Sequence, residues 1–373
     1  MKKSDFVFIF SSFLIWRIAL FIFLFLAIKY VPLQKNFLGG GMENYLKAPW
    51  LWAWANFDGE HYLSIAQKGY GFGEQAFFPI YPLFIKFLGG WVWSGLVISH
   101  VSFFLALLGL YKLVKLDFSE SFSKTAIILL LLFPTSFYFG SVYTESLFLM
   151  LSVWSFYFVR QGKWIMAGLI GSLASATRPI GILLLPVLVA EYFSSKNKFK
   201  IDEWSLMYLL LIPLGLFLYM YYLKFTTGDW LYFFHSLPSF GEQRSSYPVL
   251  LPQVFYRYFF KILPALNFSY FPVLFTTYFE LLVAIAFSIF SVIGFFKLRL
   301  SYAMYLALGY LVPTLSGSFS SLPRYVLVIF PAFILLSLFM LKLKKLPRVA
   351  ISLTLFILNI VSFMLFSRGY WIS

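Results

Sequence analysis

The chain has 373 residues, 61% of them hydrophobic and 12% charged, with a mean hydropathy of +0.85, values that exclude a soluble globular surface. Its 49 Phe, 25 Tyr and 11 Trp suit an all-α polytopic membrane protein whose faces meet lipid tails and whose ends lie among headgroups. The net charge of +15 falls in loops between apolar runs and so marks a membrane surface and its lipids, not nucleic acid; with no cysteine, disulfides, thiolate metal sites and a cysteine nucleophile are excluded.

Residues 6–28 form an apolar run of about 23 residues, enough to cross roughly 30 Å of hydrocarbon at 1.5 Å per residue. The run is too long for a signal peptide and no small-residue cleavage site follows it, so it reads as a retained first span. Arg17, near its middle, is expected to face the protein interior or an aqueous cavity. Residues 29–90 are too polar and too broken by Gly and Pro to cross a membrane, yet too aromatic for a disordered linker. They are expected to form a large first outer loop with short interfacial helices. Asn56 or Asp58 is placed to cap a helix through Lys68 that Gly69 stops, and residues 79–88 suit a second helix.

Apolar runs follow at 91–111, 125–139, 143–159, 164–177, 179–193, 206–223, 272–296, 302–315, 325–341 and 349–366. The expectation is a single domain over residues 1–373 with about eleven spans, and residues 224–269 as a second large outer loop. Every second connection is basic: Lys112, Lys115 and Lys124; Arg160 and Lys163; Lys196, Lys198 and Lys200; Lys297 and Arg299; Lys342, Lys344, Lys345 and Arg348. This alternation places the N-terminus in the cytoplasm. A short, lysine-rich, cysteine-free chain also points to a prokaryotic plasma membrane in preference to the endoplasmic reticulum.

The unusual polar residues collect on the opposite face. Asp58, Glu60 and His61 lie in the first outer loop, Glu145 opens a span, Arg178 sits at a turn and Arg324 at another, and the second loop carries Asp229, His235, Glu242 and Arg244. A transporter of lipid-linked sugars, the alternative class, would place ionisable groups near the midplane of broken helices. Three histidines, at 61, 100 and 235, make no metal-binding spacing, and Gly39-Gly40-Gly41 lacks the strand and the Lys-Ser/Thr of a phosphate loop. Neither a metal nor another cofactor is expected.

Residues 56–70 read NFDGEHYLSIAQKGY and residues 76–82 read AFFPIYP; residues 134–148 end in Tyr143-Thr144-Glu145-Ser146-Leu147-Phe148, and Thr177-Arg178-Pro179 and Leu322-Pro323-Arg324-Tyr325 follow. Together these blocks resemble the PIG-V mannosyltransferases, most clearly over residues 56–182. Phe57 stands where the resemblance would place Trp, and Pro179 where it would place Ser. The resemblance implies a GT-C integral-membrane glycosyltransferase that takes mannose, or another sugar, from a polyprenyl or dolichyl phosphate with inversion. It puts the catalytic aspartate of the first outer loop at Asp58. The acceptor, a glycan or glycolipid, and any protein partner are not readable.

The chemistry of the residues agrees with that assignment. A sugar hydroxyl needs a carboxylate to take its proton as it attacks, and single displacement needs one base, not two carboxylates. The departing phosphate gains charge that a guanidinium can meet with paired hydrogen bonds. The catalytic candidates are therefore Asp58 as base with His61 and Glu60 beside it, and the donor-phosphate candidates are Arg178, Arg324 and Arg244. Tyr62, Tyr143, Glu145 and His235 are substrate-site or structural residues. Three residues from Asp58, His61 could share its face, and each candidate has a plainer role open to it: Asp58 as a helix cap, Glu60 as a surface acid or a partner of Lys68, His61 as a satisfied hydrogen-bonder, Glu145 answering a helix dipole.

Overall fold

The computed structural model describes residues 1–195, 204–236, 245 and 247–372. Among the described residues the chain is helical, without strands. Helix α1 (Lys3–Tyr30) leads into the first loop, which contains α2 (Gly41–Lys47), α3 (Pro49–Trp52), α4 (Asp58–Lys68) and α5 (Ile80–Phe87). Then come α6 (Val92–Val114), α7 (Glu120–Leu132), α8 (Glu145–Arg160), α9 (Trp164–Ser175) and α10 (Leu184–Ser195). The second half holds α11 (Trp204–Leu209), α12 (Leu214–Thr227), α13 (Tyr232–His235), α14 (Leu251–Arg257), α15 (Phe271–Lys297), α16 (Leu300–Thr314), α17 (Leu322–Tyr325), α18 (Phe330–Met340) and α19 (Lys345–Ser367).

The eleven apolar runs are largely helical, but among the described residues only α1, α6, α15 and α19 are long and apolar enough to cross a bilayer unaided, with a fifth span if the segments on either side of the 84° bend between α17 and α18 act as one. Helices α7 to α10 are shorter because the chain breaks between them at the 3-10 turns Ser136–Gly140 and Pro179–Leu183. Helices α1 and α19 pack on each other and expose Ile15, Ile18, Phe25, Leu353 and Ile357 outward. So much exposed aliphatic and aromatic surface belongs in lipid; the chain is an integral membrane protein.

Helix α8 is the central post, packed on α6, α9 and α10 and buried along most of its length. Glu145 in its first turn and Arg160 in its last answer the helix dipole at both ends. Arg17 does face the interior: Nη1 donates to the Gly140 carbonyl at 3.3 Å and the guanidinium lies 3.7 Å from the Trp54 ring centre. Gly140 is what admits it, since a Cβ there would sit 2.7 Å from Arg17 Nη1.

The first loop corrects the capping expectation. Helix α4 starts at Asp58 and is stopped by Gly69 at φ 83°, but Phe57 is its N-cap residue and no side chain caps it. Asn56 is drawn elsewhere, because it is buried and must satisfy its amide inside the protein. It accepts the Gly39 N–H at 2.8 Å, donates to the Phe366 carbonyl at 2.9 Å, and its own carbonyl accepts the Tyr143 hydroxyl at 2.8 Å. The loop is thereby tied to the end of α19 and the start of α8.

At the opposite, basic end, Arg160 makes a two-bond fork to Asp117 at 2.6 and 2.8 Å. Buried Glu191 accepts Arg299 at 2.7 Å and Ser301 at 2.6 Å, with Arg160 Nε at 3.3 Å. This network joins α8, α10, α16 and the turn after α6. Glu191→Gln leaves Asp117 as the one remaining anion for both guanidiniums and should cost roughly 1–3 kcal/mol, read as a lower thermal unfolding midpoint in detergent; an unchanged midpoint would show that the Glu191 charge carries no stability.

Candidate active site

Three non-glycine residues among those described have positive φ, and two of them lead into the charged residues of interest: Phe57 at φ 57°, directly before Asp58, and Ser321 at φ 65°, at the N-cap of the short helix that carries Arg324. Such backbone costs on the order of 1–3 kcal/mol per residue and persists only where the surroundings enforce it. Phe57 is enforced by its N–H, which donates to the Phe37 carbonyl at 2.9 Å, and by its ring, packed against Phe37, Phe366 and Trp371. Asp58 follows as the first residue of α4. Ser321 precedes Leu322 and Pro323, and Arg324 follows on α17, with the Pro323 carbonyl accepting the Thr135 hydroxyl at 2.8 Å.

Glu145 opens α8 after an irregular turn that is pinned when the Val142 N–H donates to the Trp54 carbonyl at 2.8 Å. Arg178 leaves the end of α9, with extended backbone, just before Pro179 starts its 3-10 turn. Four remote segments thus deliver two acids and two cations to one place. Arg324 Nη1 donates to Asp58 Oδ2 at 2.6 Å, Arg324 Nε lies 3.6 Å from Glu145 Oε1, and Arg178 Nη1 donates to that same oxygen at 2.8 Å. The order is Asp58, Arg324, Glu145, Arg178, and the formal charges cancel.

The row is nearly dry. The side chains of Arg324, Glu145 and Arg178 are 7%, 2% and 10% exposed, while Asp58 is 19% exposed and forms the open end. Aromatic rings of Tyr138, Tyr143, Tyr325 and Trp371 surround the Arg324 guanidinium at 5.3 to 5.7 Å. Burial first, and the Asp58 charge second, push the Tyr62 and Tyr143 hydroxyls above the ordinary tyrosine range, so both stay protonated donors. Among the described residues, Glu145 Oε2 and Arg324 Nε are buried with no hydrogen-bond partner.

Other candidates have other partners. His61 Nδ1 sits 3.1 Å from Glu74 Oε1 and its ring stacks on Phe77 at 4.8 Å. Glu74 Oε2 also accepts the Gly71 N–H at 2.8 Å, which holds the carboxylate for the imidazole. Glu60 is not paired with Lys68, which is exposed; burial raises its carboxyl, against the Gly41 N–H and His61, which favour the charge. His235 is turned to the surface, with Nδ1 2.6 Å from Asp229 Oδ2. Arg244 lies outside the described residues. No three His, Asp or Glu side chains among the described residues come together as a metal site.

A family profile described as Mannosyltransferase (PIG-V) matches residues 30–226, just over half of the chain. The chain belongs to the PIG-V mannosyltransferase family. The comparison with curated proteins gives no match. Among solved structures, ArnT from Cupriavidus metallidurans bound to undecaprenyl phosphate aligns with a TM-score of 0.50 at 14% identity, over 91% of this chain and 62% of that one. The chain therefore spans about three fifths of ArnT's length, at 62%, and the likeness shows the fold, that of the GT-C glycosyltransferases. The Archaeoglobus fulgidus oligosaccharyltransferase aligns at TM-scores of 0.43 in its apo form and 0.45 with zinc and sulfate. Identities there are 11% and 13%, over 79% and 95% of this chain and 48% and 53% of those.

Within this PIG-V family chain, the matched region supplies Asp58, Glu145 and Arg178, and Arg324 comes from beyond it. Sequence reasoning gave Asn56 a capping role it does not have and missed Glu74, Tyr138 and Trp371. An acid in the Gly-rich stretch 71–75 was a usable signal for Glu74, whereas nothing local marks the other two. The strain argument is testable at Ser321. Ser321→Gly should leave thermal stability within about 1 kcal/mol, whereas β-branched Ser321→Val should lose roughly 1–3 kcal/mol. Equal unfolding midpoints for the two variants would remove the argument.

Proposed function

We propose that this chain transfers a mannosyl residue from a polyprenyl-phosphate donor to a hydroxyl of a glycan or lipid-linked acceptor, with inversion, at the open end of the Asp58–Arg324–Glu145–Arg178 row. The observation that carries the proposal is the pairing of a partly open carboxylate with a dry guanidinium, Asp58 Oδ2 to Arg324 Nη1 at 2.6 Å. Family membership supports the sugar, and the undecaprenyl phosphate bound to ArnT supports a lipid phosphate as the donor's class. The alternation of basic connections supports a cytoplasmic N-terminus with the site on the outer face, and the lysine-rich, cysteine-free composition supports a prokaryotic plasma membrane.

In this reading the acceptor O–H gives its proton to the Asp58 carboxylate as its oxygen attacks the anomeric carbon. The bond from that carbon to the phosphate oxygen breaks, and its electron pair leaves with the lipid phosphate. Arg324, with Arg178 behind it, meets the charge gained there. Glu145 is a positioning residue that holds the two guanidiniums side by side. The two cations take the neutralising role, and the reading calls on no metal ion or organic cofactor. A carrier of lipid-linked sugars is less well supported, because the paired charges gather at the two ends of α8 and not at its middle.

The test is transfer of labelled mannose from mannosyl-phosphoryl polyprenol by purified protein in detergent, with a membrane glycan and lipid extract as acceptor. Wild type should transfer, and Asp58→Asn should lose at least about 10²-fold in rate while keeping its thermal midpoint. Asp58→Asn turnover within tenfold of wild type would remove Asp58 as the base.

A further inference from the structure

The tail after the last span returns to the site. Beyond α19, Gln34 N–H donates to the Arg368 carbonyl at 2.9 Å, Thr276 Oγ1 to the Trp371 carbonyl at 3.3 Å, and the Tyr138 hydroxyl to the Ile372 carbonyl at 2.5 Å. Ile372 is fully buried. These anchors, on the first loop, on α15 and on the turn before α8, leave residues 368–372 little freedom. They set the Trp371 ring edge-to-face on Phe57 at 4.9 Å and 5.7 Å from the Arg324 guanidinium carbon. Trp371 therefore packs against Arg324 and against the residue before Asp58.

Its indole Nε1 is buried and has no acceptor among the described residues. An indole normally finds a partner for its N–H when it is buried, so a rigidly held, unpaired donor beside a charged site has a ligand oxygen as its natural partner. A sugar placed between a base and a phosphate-binding cation must lie against whatever wall spans the two. An aromatic ring suits that wall, since it packs against the C–H face of a pyranose while its polar edge reaches a hydroxyl.

We propose that Trp371 forms a wall of the donor sugar subsite and that its Nε1–H donates to a hydroxyl oxygen of the hexosyl unit held between Asp58 and Arg324. The inference rests on the reading of the row as a sugar-phosphate site and adds a donor-binding residue from the far end of the chain, one that selects for the sugar and not for the lipid phosphate.

Trp371→Phe keeps a ring and removes the N–H. The expected result is a KM for mannosyl-phosphoryl polyprenol raised roughly fivefold to tenfold, with kcat and the inhibition constant of sugar-free polyprenyl phosphate within about twofold of wild type. An unchanged KM overturns the proposal, and so does an equal loss of affinity for the sugar-free lipid, which would mark a packing or phosphate role. A second readout pairs the variant with altered donors. Among monodeoxy mannosyl donors, one should carry a similar KM penalty that Trp371→Phe does not increase; additive penalties at every hydroxyl overturn the assignment. A wild type that neither binds nor turns over any mannosyl-phosphoryl polyprenol overturns the donor reading and this inference together, whereas turnover with an indifferent Trp371→Phe overturns this inference alone.

Discussion

Glu145 holds one carboxylate oxygen between two guanidiniums, 2.8 Å from Arg178 Nη1 and 3.6 Å from Arg324 Nε. Two buried arginines could not share this volume without it, because their mutual repulsion in a dry environment exceeds what the surrounding tyrosines return. The acid is placed at the first turn of α8, where the helix dipole already favours it. The same helix ends in Arg160, which belongs to a second neutral group of two acids and two arginines with Asp117, Glu191 and Arg299. Sixteen residues of helix separate the two groups, roughly 24 Å at 1.5 Å per residue. Helix α8 is thus pinned at both ends by charge, and α9, α10 and α16 are registered against it.

The short helices are the geometric consequence. A carboxylate and three partners must converge from positions 58, 145, 178 and 324, so the segments carrying them stop, bend or tighten into 3-10 turns where they meet. Irregular backbone at membrane depth is tolerated only where protein groups satisfy it. Asn56, Tyr143 and Thr135 do that work here, each bonding a backbone carbonyl or N–H of another segment. The positive φ values at Phe57 and Ser321 belong to the same constraint, because a relaxed backbone would aim Asp58 and Arg324 elsewhere.

Much of this was legible in the sequence, and for a physical reason: membrane helices must be apolar and the polar exceptions must be explained. That rule located the helical runs, the inward-facing Arg17, and Asp58, Glu145, Arg178 and Arg324 as the groups to watch. It could not reveal that these four form one row, since the partners lie up to 266 residues apart in sequence. It also misplaced detail that depends on side-chain direction. Asn56 caps nothing because its amide serves the end of α19, and His61 meets Glu74 through Nδ1, an acid thirteen residues on that the motif did not point to. Trp371 had no signal, being a single aromatic after the last apolar run whose position is set by hydrogen bonds to remote residues.

The pairing of Asp58 with Arg324 also bears on how the proposed reaction would be ordered. In the resting site one carboxylate oxygen of Asp58 accepts a guanidinium N–H at 2.6 Å. A lipid phosphate bringing its own negative charge competes for that guanidinium and, in doing so, frees the carboxylate oxygen to accept a proton. Donor arrival and exposure of the base become one event, and the site has little reason to activate an acceptor or a water molecule before the donor is in place. Glu145 keeps Arg324 from following the phosphate far, since its Oε1 still lies beside Nε. In the proposed reading one anion would replace another at Arg324 while Glu145 stays paired with Arg178 at the buried end of the row.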